Sequence, residues 1–470
     1  MSLHFKALSN FLFSPKRPNP VGKANEERVM KLMKWIALLI FLQCFVYKQV
    51  HSALAWELGI TITPDRLVFV IILVLAVARL VSGELQFPSM GKAGIYMLLF
   101  ALTCTASSIV SGSALERNIT GYETFTRLFD FIYNPLLVFL IVRSIPHSHK
   151  KLEFLSFTFL VLGAYLAING AFERFGLHAL VWPQYILDPS VGIQFGRTRG
   201  PFASSTYLGG ALLVTFLFYV LFATRSKLGK LYWAYGMIFV TAGVIYSTSQ
   251  RSVWLCFAFC VVLLAIVKSR MRRIACVIAC AICLGFFSGV ASKFNFTEGT
   301  LFSKRQETVD YRWVNYLADL EMSKANPIFG IGYGNFKTEW PKYVRPIPGV
   351  DIEELTDGNH NTFLGLLAEV GLVGILLYLL IVSNMFRVGL RVFRRGGGLE
   401  REFALIFLLV ACSYLIDANF HDTRSTQFFN TVLFILFGTV AGIEAQMTFP
   451  PHRSVEHPSR EQVGSGHRIP

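Results

Sequence analysis

The run Asp357-Gly358-Asn359-His360-Asn361 leads directly into the apolar segment 362–370 and then into Gly371-Leu372-Val373-Gly374. A polar run of turn-forming residues before a long apolar segment predicts a loop that ends where a membrane helix begins. Histidine is the side chain best suited to proton transfer near neutral pH. The pattern therefore predicts a site at the membrane surface, where His360 can meet a lipid-anchored substrate.

The composition of the whole chain indicates a polytopic membrane protein. Of its 470 residues, 53% are hydrophobic and only 16% are charged, whereas soluble domains average about 25% charged residues. We expect an all-α fold in which about twelve transmembrane helices form one integral domain, 34–446. The predicted spans are 34–52, 66–82, 93–111, 125–143, 153–173, 205–223, 232–248, 252–267, 274–291, 363–386, 402–418 and 427–446.

The net charge of +15 could indicate binding to nucleic acid, but its distribution argues against that partner. Twelve spans put both termini on one side, and most lysines and arginines lie in the connections on that side. The positive-inside rule makes that side the cytoplasm. We therefore predict a cytoplasmic N-terminal segment (1–33), a cytoplasmic disordered tail (447–470) and a large periplasmic loop (292–361) between helices 9 and 10.

Two features of the large loop are readable from its sequence. The segment 310–325 is a helix candidate, with Trp313, Leu317, Leu320 and Lys324 spaced as one face. A glycine-rich turn with aromatic residues follows it at 326–336, where backbone could approach a ligand closely. All eight cysteines fall inside predicted spans without a histidine or carboxylate at metal-ligand spacing, so we expect neither a metal nor another cofactor.

Arginines on the outward side are the second functional signal. Arg199, Arg251, Arg312 and Arg424 lie in outward connections, against the usual charge bias of membrane insertion. A guanidinium is always charged, and its donor fork matches phosphate oxygens. Several arginines beside one histidine would suit a diphosphate leaving group.

Each of these residues also has a structural interpretation. Arg251 could cap the end of span 7, and Arg199 could pair with lipid headgroups, with Arg197 as a neighbour. His360 could merely open a helix, and His421 could be a satisfied interface histidine.

Three further features have structural interpretations of their own. Glu369 is an intramembrane carboxylate, and it could serve function or bond a neighbouring helix. Arg127 and Asp130, three residues apart, are expected to neutralise each other. Gly371 and Gly374 could serve close helix packing.

Taken together, these residues resemble the O-antigen ligase and polymerase superfamily of bacterial envelope glycan enzymes. The ligase signature is His, then Asn, Ser or Gln, then nine residues, then Gly-x-x-Gly. His360-Asn361 with Gly371 and Gly374 fits that signature in full. The segment 326–336 resembles the family's glycine-rich stretch, Pro-x-x-Gly-x-Gly-x-Gly-x-Phe.

Two more segments resemble the family with a departure in each. Arg199-Gly200-Pro201-Phe202 resembles an Arg-x-Gly segment before a span, but Ser204-Ser205-Thr206 stands where Pro-Asn is usual. Ser249-Gln250-Arg251 resembles a Ser-Arg turn with an extra glutamine between the two residues. The resemblance covers roughly 190–445 of the chain.

The resemblance implies a metal-independent glycosyltransferase of the bacterial inner membrane with a periplasmic active site. The donor is a glycan on polyprenyl (undecaprenyl) diphosphate, and a sugar hydroxyl of the acceptor attacks the anomeric carbon. By this analogy His360 is the general base or the group that orients the acceptor, and Arg199 and Arg251 hold the diphosphate. Arg312 is added as a further phosphate candidate. Asp417 is assigned the orientation of His360 or of an arginine, and Asn361 and Arg424 are assigned supporting roles.

Three functions fit the sequence. An O-antigen ligase would transfer the finished glycan to lipid A–core, and a polymerase would extend O-antigen or exopolysaccharide on its lipid carrier. A transporter or flippase is an alternative of another class, which predicts charges near the bilayer midplane and broken helices in paired halves. An oligosaccharyltransferase acting on protein is a minor fourth possibility, which a Ser or Thr acceptor would distinguish.

Overall fold

The computed structural model describes residues 23–45, 56–57, 61–83, 85, 90–112, 119–226, 228–267, 300–345 and 359–448. The predicted ninth span, 274–291, the tail after 448, and the greater part of the predicted N-terminal segment lie outside the described residues. The part of the large loop at 346–358, which includes Asp357 and Gly358, lies outside them as well.

The described part of the chain is almost entirely helical. Its only other regular element there is a two-residue antiparallel pairing of β1 (Trp56–Glu57) with β2 (Thr61–Ile62). The α-helices are α1 (Lys23–Leu42), α2 (Pro64–Val81), α3 (Gly91–Val110), α4 (Ile119–Leu128), α5 (Asn134–Ser144), α6 (His149–Arg174), α7 (Ser205–Arg225), α8 (Leu228–Ser247), α9 (Arg251–Val267), α10 (Thr300–Ala325), α11 (Phe336–Tyr343), α12 (Thr362–Arg395), α13 (Gly398–Asp417) and α14 (Gln427–Thr448).

Six helical segments in the described residues are long and apolar enough to cross a membrane: Gly91–Val110, Thr124–Ser144, His149–Arg174, Ser205–Arg225, Thr362–Arg395 and Gln427–Thr448. Two shorter apolar helical segments, Leu231–Ser247 and Arg251–Val267, coincide with predicted spans 7 and 8. Spans 2 and 11 coincide with the more charged helices α2 and α13, whereas span 1 overlaps α1 only at 34–42. The all-α membrane architecture is thus confirmed, while the count of twelve spans stays a prediction.

Aromatic residues fill the centre of the helical bundle. Phe437 of α14 stacks on Phe407 of α13, with ring centroids 5.5 Å apart, and on Phe139 of α5 at 4.7 Å. Phe218 of α7 stacks on Phe159 of α6 at 4.4 Å. Because lipid offers helices no hydrophobic drive to associate, this close packing is a main source of bundle stability.

Asp130 has an ion-pair partner on another helix. Asp130 lies in a π-helical turn, Phe129–Tyr133, that joins α4 to α5. Its carboxylate binds the guanidinium of Arg66 on α2, with Nη2–Oδ2 and Nε–Oδ1 distances of 2.5 and 3.3 Å. Asp130 therefore joins this π turn to α2, a contact between two helices that the sequence did not indicate, and the pair of Arg127 with Asp130 stays a prediction.

The large loop has a small core of its own. The predicted helix is confirmed as α10, and the face identified from the sequence is exposed: Trp313 is 57% exposed and Leu317 is 39% exposed. The buried face instead holds Val314, Ala318 and Met322, which pack against α11 and the first part of α12. Small residues on that face let α10 lie closely against α12.

Candidate active site

The histidine motif forms the N-terminus of α12. Asn361 is the N-cap, and its Oδ1 accepts hydrogen bonds from the backbone N–H groups of Phe363 and Leu364 at 2.9 and 3.0 Å. Asparagine is among the best N-cap residues because its side chain satisfies these otherwise unpaired donors. Asn361 therefore fixes where the helix begins and hence where the preceding His360 lies.

The segment after His360 is held on the connection between α13 and α14. Thr362 donates its backbone N–H to the carbonyl of Ala418 at 2.8 Å. Its hydroxyl donates to the carbonyl of His421 and accepts from the backbone N–H of Thr423, both at 3.0 Å. These bonds join the ends of three helices at one point, so the position of His360 depends on all of them.

A tyrosine of α10 closes the other side of this segment. The Tyr316 hydroxyl donates to the backbone carbonyl of Asn419 at 3.2 Å and lies 3.5 Å from the carbonyl of His360. Arg312 is one helical turn before Tyr316 on the same face, and its charge acts on that tyrosine. The structure thus brings Arg312 and His360, two residues predicted for the site, to the same corner of the molecule.

Asp417 has a different partner from the expected ones. Its Oδ1 lies 2.9 Å from Nδ1 of His421, so Asp417 orients His421 rather than His360 or an arginine. The two side chains are 15% and 24% exposed, which leaves this pair reachable by a ligand. A carboxylate on one ring nitrogen fixes the orientation of the imidazole and leaves the other nitrogen for a substrate.

The Gly-x-x-Gly motif marks a break in α12. Gly371 has φ +64° and ψ −164°, outside the helical region, and divides the helix after Val370. The glycine-rich turn enters this break: the N–H groups of Ile331 and Gly332 donate to the carbonyls of Ala368 and Glu369 at 2.9 and 3.0 Å. Beyond the break, Leu372 and Val373 donate to the carbonyls of Pro327 and Ile328 at 2.8 and 3.2 Å.

Glycine is required on both sides of this contact. A Cβ on Gly371 would lie 2.4 Å from the Ile328 carbonyl carbon, and one on Gly330 would lie 2.3 Å from the Glu369 carbonyl carbon. Both are backbone atoms that cannot give way, and both glycines have positive φ. The nine residues between His360-Asn361 and Gly371 are therefore a half-helix of about 13 Å, at 1.5 Å per residue, held at each end.

A buried ion cluster fixes the C-terminal end of this half-helix. Arg424 donates from Nη1 to Oε2 of Glu369 at 2.8 Å, and from Nε and Nη2 to the Asp422 carboxylate at 2.8 and 2.9 Å. The other Glu369 oxygen accepts from the backbone N–H of Gly334 at 3.2 Å. Arg424 is 6% exposed and Glu369 is 4% exposed, so the predicted supporting role of Arg424 corresponds here to a buried structural pair.

Asp319 is a site residue that the sequence did not indicate. It is fully buried on α10. With the Asn359 amide assigned in the orientation that satisfies both groups, its nitrogen donates to the two carboxylate oxygens of Asp319 at 2.8 and 3.1 Å. Burial raises the pKa of Asp319 well above its ordinary value, the charge of Glu369 raises the pKa further, and Arg424 opposes that shift. The residue before His360 is thus tied to a carboxyl group that resists ionisation.

The raised pKa of Asp319 predicts a pH-dependent stability. A carboxyl whose pKa is higher in the folded protein holds more protons there than in the unfolded chain, so its contribution to stability falls with rising pH. The loss begins above the unfolded value of about 3.9 and is complete above the raised pKa. We expect the melting temperature of the Asp319→Asn variant to depend less on pH across this window than that of the unmodified protein.

Glu321→Gln is the matched control for Asp319→Asn. Glu321 lies on the same helix, but it is paired at the surface with Lys324 and Arg345, and those contacts lower its pKa. Its variant should leave the downward slope of stability with rising pH unchanged. Equal slopes for Asp319→Asn and the unmodified protein would contradict a raised pKa at Asp319.

Arg199 has a structural role, in contrast to the predicted diphosphate contact. It is 1% exposed, and each of its three guanidinium nitrogens donates to a backbone carbonyl of the preceding loop, at Ile186, Asp188 and Val191. The Glu173 carboxylate accepts from the N–H groups of Arg199 and Gly200. Because its donors point into the loop, Arg199 organises the segment before α7 in this arrangement instead of facing a ligand.

Arg251 is exposed at the first residue of α9 and is not a C-terminal cap of α8. Within the described residues, no hydrogen bond or ion pair joins the side chain of Arg251, or that of the exposed Arg197, to another residue. Their segments meet where the Ser247 hydroxyl donates to Thr198 Oγ1 at 2.8 Å. Arg251 and Arg197 therefore both present accessible guanidinium groups in this region.

The two departures from the family pattern contact each other. Gln250, the extra residue in the Ser-Arg turn, donates from Nε2 to the hydroxyl of Ser205 at 2.7 Å. The Ser205 hydroxyl in turn donates to the side chain of Gln194. Gln250 and Ser205, each at a departure from the family pattern, are thus hydrogen-bond partners, and their contact joins the start of α7 to the start of α9.

Arg251 lies at the same level of the bundle as the Asp417–His421 pair. Cys256 Sγ lies 3.3 Å from the carbonyl of Ser413, and Cys260 Sγ lies 3.9 Å from that of Leu409, so α9 and α13 run antiparallel. Arg251 precedes Cys256 by five residues and Asp417 follows Ser413 by four, which are rises of about 7.5 and 6 Å. Both residues therefore lie at the same end of this helix pair.

Sequence reasoning missed Tyr316 and Asp319, although both lie on the polar part of the face of α10 that packs inward. The sequence pattern that could have indicated them is a tyrosine and a carboxylate three residues apart, beside the small residue Ala318. That pattern indicates a buried polar contact only after α10 is known to pack on α12.

Comparison with known proteins agrees with the motif resemblance. A family model described as O-antigen ligase matches residues 236–379, which include Arg251, Arg312, His360 and the break at Gly371. The resemblance to the O-antigen ligase and polymerase superfamily is thereby confirmed, and the match indicates a membrane enzyme of the glycan-transferase type. No curated protein shows a significant sequence match to the chain.

Proposed function

We propose that this chain is an O-antigen ligase-type glycosyltransferase of the bacterial inner membrane, with its active site on the periplasmic face. It moves a glycan from polyprenyl (undecaprenyl) diphosphate to a sugar hydroxyl of lipid A–core. The observation that carries the proposal is the contact of the His360 segment with Tyr316 and the α13–α14 connection, at the level of Arg251. The proposed topology has twelve spans, cytoplasmic termini and a periplasmic loop at 292–361.

The reaction needs one proton transfer and one good leaving group. The acceptor oxygen forms a bond to the anomeric carbon while the bond from that carbon to the diphosphate oxygen breaks. His360 takes the hydroxyl proton, and polyprenyl diphosphate leaves with the bonding electron pair. Because diphosphate already leaves well, the protein contributes mainly by positioning the acceptor and stabilising the charge of the leaving group.

Accessible arginines supply that stabilisation in the proposal. Arg251 is the principal diphosphate ligand, Arg197 is its neighbour, and Arg312 approaches from the large loop. Three guanidinium groups without a carboxylate partner among the described residues suit a ligand that carries several negative oxygens. Arg199 supports the site indirectly, by holding the loop that carries Arg197.

Replacement of Arg251 tests the diphosphate assignment. We expect Arg251→Lys to transfer glycan clearly more slowly, on the order of tenfold, because lysine keeps the charge but lacks the planar donor fork. Affinity for polyprenyl diphosphate, measured by its inhibition of transfer, should fall in parallel. Arg225→Lys, at the opposite end of α7, is the matched control and should behave as the unmodified protein.

An unchanged inhibition constant for Arg251→Lys would mean that Arg251 does not bind the diphosphate and serves only as the first residue of α9. A loss of inhibition by polyprenyl diphosphate without any loss of folding would support its contact with the leaving group.

The polymerase remains the alternative within the same fold and site. A donor-only incubation separates the two functions, because a polymerase lengthens the glycan on its lipid carrier without lipid A–core. Longer carrier-linked chains in that incubation would replace the ligase proposal with the polymerase. The transporter alternative predicts movement of intact lipid-linked glycan across the bilayer and no new glycosidic bond.

The break in α12 resembles a feature of transporters, which build sites from broken helices in paired halves. Here the ends at the break are paired with the glycine-rich turn of the large loop. The break therefore serves to attach that loop to the membrane helices, and it supports the enzyme over the transporter.

A further inference from the structure

A cavity of about 270 Å³ with both polar and aromatic lining residues lies beside the site described above, between the ends of α1, α2 and α14 and the start of α7. This volume is close to the lower end of the roughly 300–1,000 Å³ that is usual for ligand pockets. None of the residues assigned to proton transfer or to diphosphate binding lines it. We propose that this cavity binds sugar rings of the glycan substrate, an inference that rests on the proposed glycan transfer.

The charge of the cavity excludes the diphosphate as its occupant. Its charged lining residues are Asp65, Asp130 and Arg66, and both Nη2 and Nε of Arg66 donate to Asp130. Two carboxylates against one guanidinium make the lining net negative. An anion would be repelled there, whereas sugar hydroxyls can donate hydrogen bonds to carboxylate oxygens.

An unsatisfied amide faces the same space. Gln43, near the outer end of α1, lines the cavity, and both its Nε2 and Oε1 atoms are buried without a hydrogen-bond partner in the described structure. A buried amide left unpaired carries a desolvation cost that no protein hydrogen bond offsets. A ligand that both donates and accepts hydrogen bonds, as a sugar hydroxyl does, would satisfy the two atoms together.

Aromatic rings form the rest of the wall. Phe202, Tyr207 and Phe428 line the cavity, and Phe202 packs edge-on against Phe428 with ring centroids 5.2 Å apart. The C–H faces of a sugar ring pack on aromatic faces while its hydroxyls reach polar groups at the edge. Carboxylates, an amide and aromatic rings around one space therefore match a neutral saccharide.

The cavity is joined to the site of His360 through the backbone. Thr426 lines the cavity and donates its N–H to the carbonyl of Thr423 at 3.2 Å. The Thr423 hydroxyl lies 3.0 Å from that of Thr362, two residues after His360. Phe202 follows Arg199-Gly200-Pro201 directly, so the cavity borders the arginine motif as well. A sugar bound there would continue a substrate whose reacting group lies at His360.

Gln43→Leu tests the inference without loss of a protein contact. Leucine is close in size to glutamine, and Gln43 has no hydrogen bond to lose, so the melting temperature should stay equal or rise. Binding is measured in nanodiscs with three probes: polyprenyl-diphosphate glycan, lipid A–core, and polyprenyl diphosphate without sugar. Leu38→Ala, on the exposed face of the same helix, is the matched control.

We expect Gln43→Leu to raise the dissociation constant of a glycan-bearing lipid about fivefold, which corresponds to one hydrogen bond of about 1 kcal/mol. Affinity for the sugar-free diphosphate should stay unchanged. If only the affinity for polyprenyl-diphosphate glycan falls, the cavity binds the donor glycan. If only the affinity for lipid A–core falls, it binds the acceptor.

Unchanged affinity for both glycan lipids, or an equal loss for the sugar-free diphosphate, would overturn the inference. Asp65→Asn provides a second variant, because Asp65 lines the cavity and accepts from Gln427 at 3.1 Å, a bond that asparagine can keep. Since binding is measured without turnover, failure of this inference is distinguishable from failure of the proposed transfer reaction.

Discussion

His360→Ala should lower the rate of glycan transfer by at least about 100-fold while the protein still inserts and folds. Loss of a general base typically costs roughly 10²–10⁴ in rate. The change should appear in the turnover rate more than in donor affinity, because the proposed diphosphate ligands are arginines on other segments. The measurement is initial transfer rate in liposomes at saturating donor.

The histidine variant has a matched control in His178→Ala. His178 lies exposed in the outward loop between α6 and α7, so its loss should change neither rate nor stability. Because His421 lies close to the same segment, His421→Ala should be measured beside it. Transfer near the unmodified rate in His360→Ala, with a loss in His421→Ala, would reassign the base to His421.

Arg424→Gln should destabilise the folded protein by about 3–5 kcal/mol, the usual cost of removing one partner from a buried ion pair. The variant leaves the buried Glu369 and the partly buried Asp422 without their cation, and Glu369 also anchors the glycine-rich turn through Gly334. Glu369→Gln should cost less, since Arg424 keeps Asp422. Thermal unfolding in detergent micelles reports both changes.

A double-variant cycle tests the Arg424–Glu369 contact itself. In the Arg424→Gln, Glu369→Gln double variant, neither buried charge of that contact remains. Its loss of unfolding free energy should therefore be smaller than the sum of the losses in the two single variants. Arg391→Gln is the control, because its partner Glu444 lies near the opposite end of the bundle and Arg391 is partly exposed. Additive losses would mean that the two residues do not stabilise each other.

Local sequence patterns were sufficient to predict the long apolar helices and the start of α12. Apolar runs gave the positions of the long helices, and the polar run before Thr362 marked the start of α12, because hydrophobic length and N-cap chemistry act within a few residues. The placement of His360 at a helix end follows from that alone. The accessibility of Arg251 was not predictable in this way, since an arginine in that turn could equally cap α8.

The remaining contacts join residues that are far apart in the chain. Asp130 lies 64 residues from Arg66, and Tyr316 lies 44 residues from His360, so no local spacing rule pairs them. The break at Gly371 depends on its contact with Ile328, without which the same glycine would serve ordinary helix packing. The loop before α7 folds over Arg199, and its carbonyl groups accept the hydrogen bonds of the guanidinium. The sequence around Arg199 does not indicate this contact.

The central claim is tested most directly by transfer in liposomes that contain only this protein, polyprenyl-diphosphate glycan and lipid A–core. The account predicts that glycan becomes attached to lipid A–core at a rate that depends on His360 and Arg251. A complete absence of new glycosidic bonds on lipid A–core and on the carrier, with a folded protein and several donors, would contradict it.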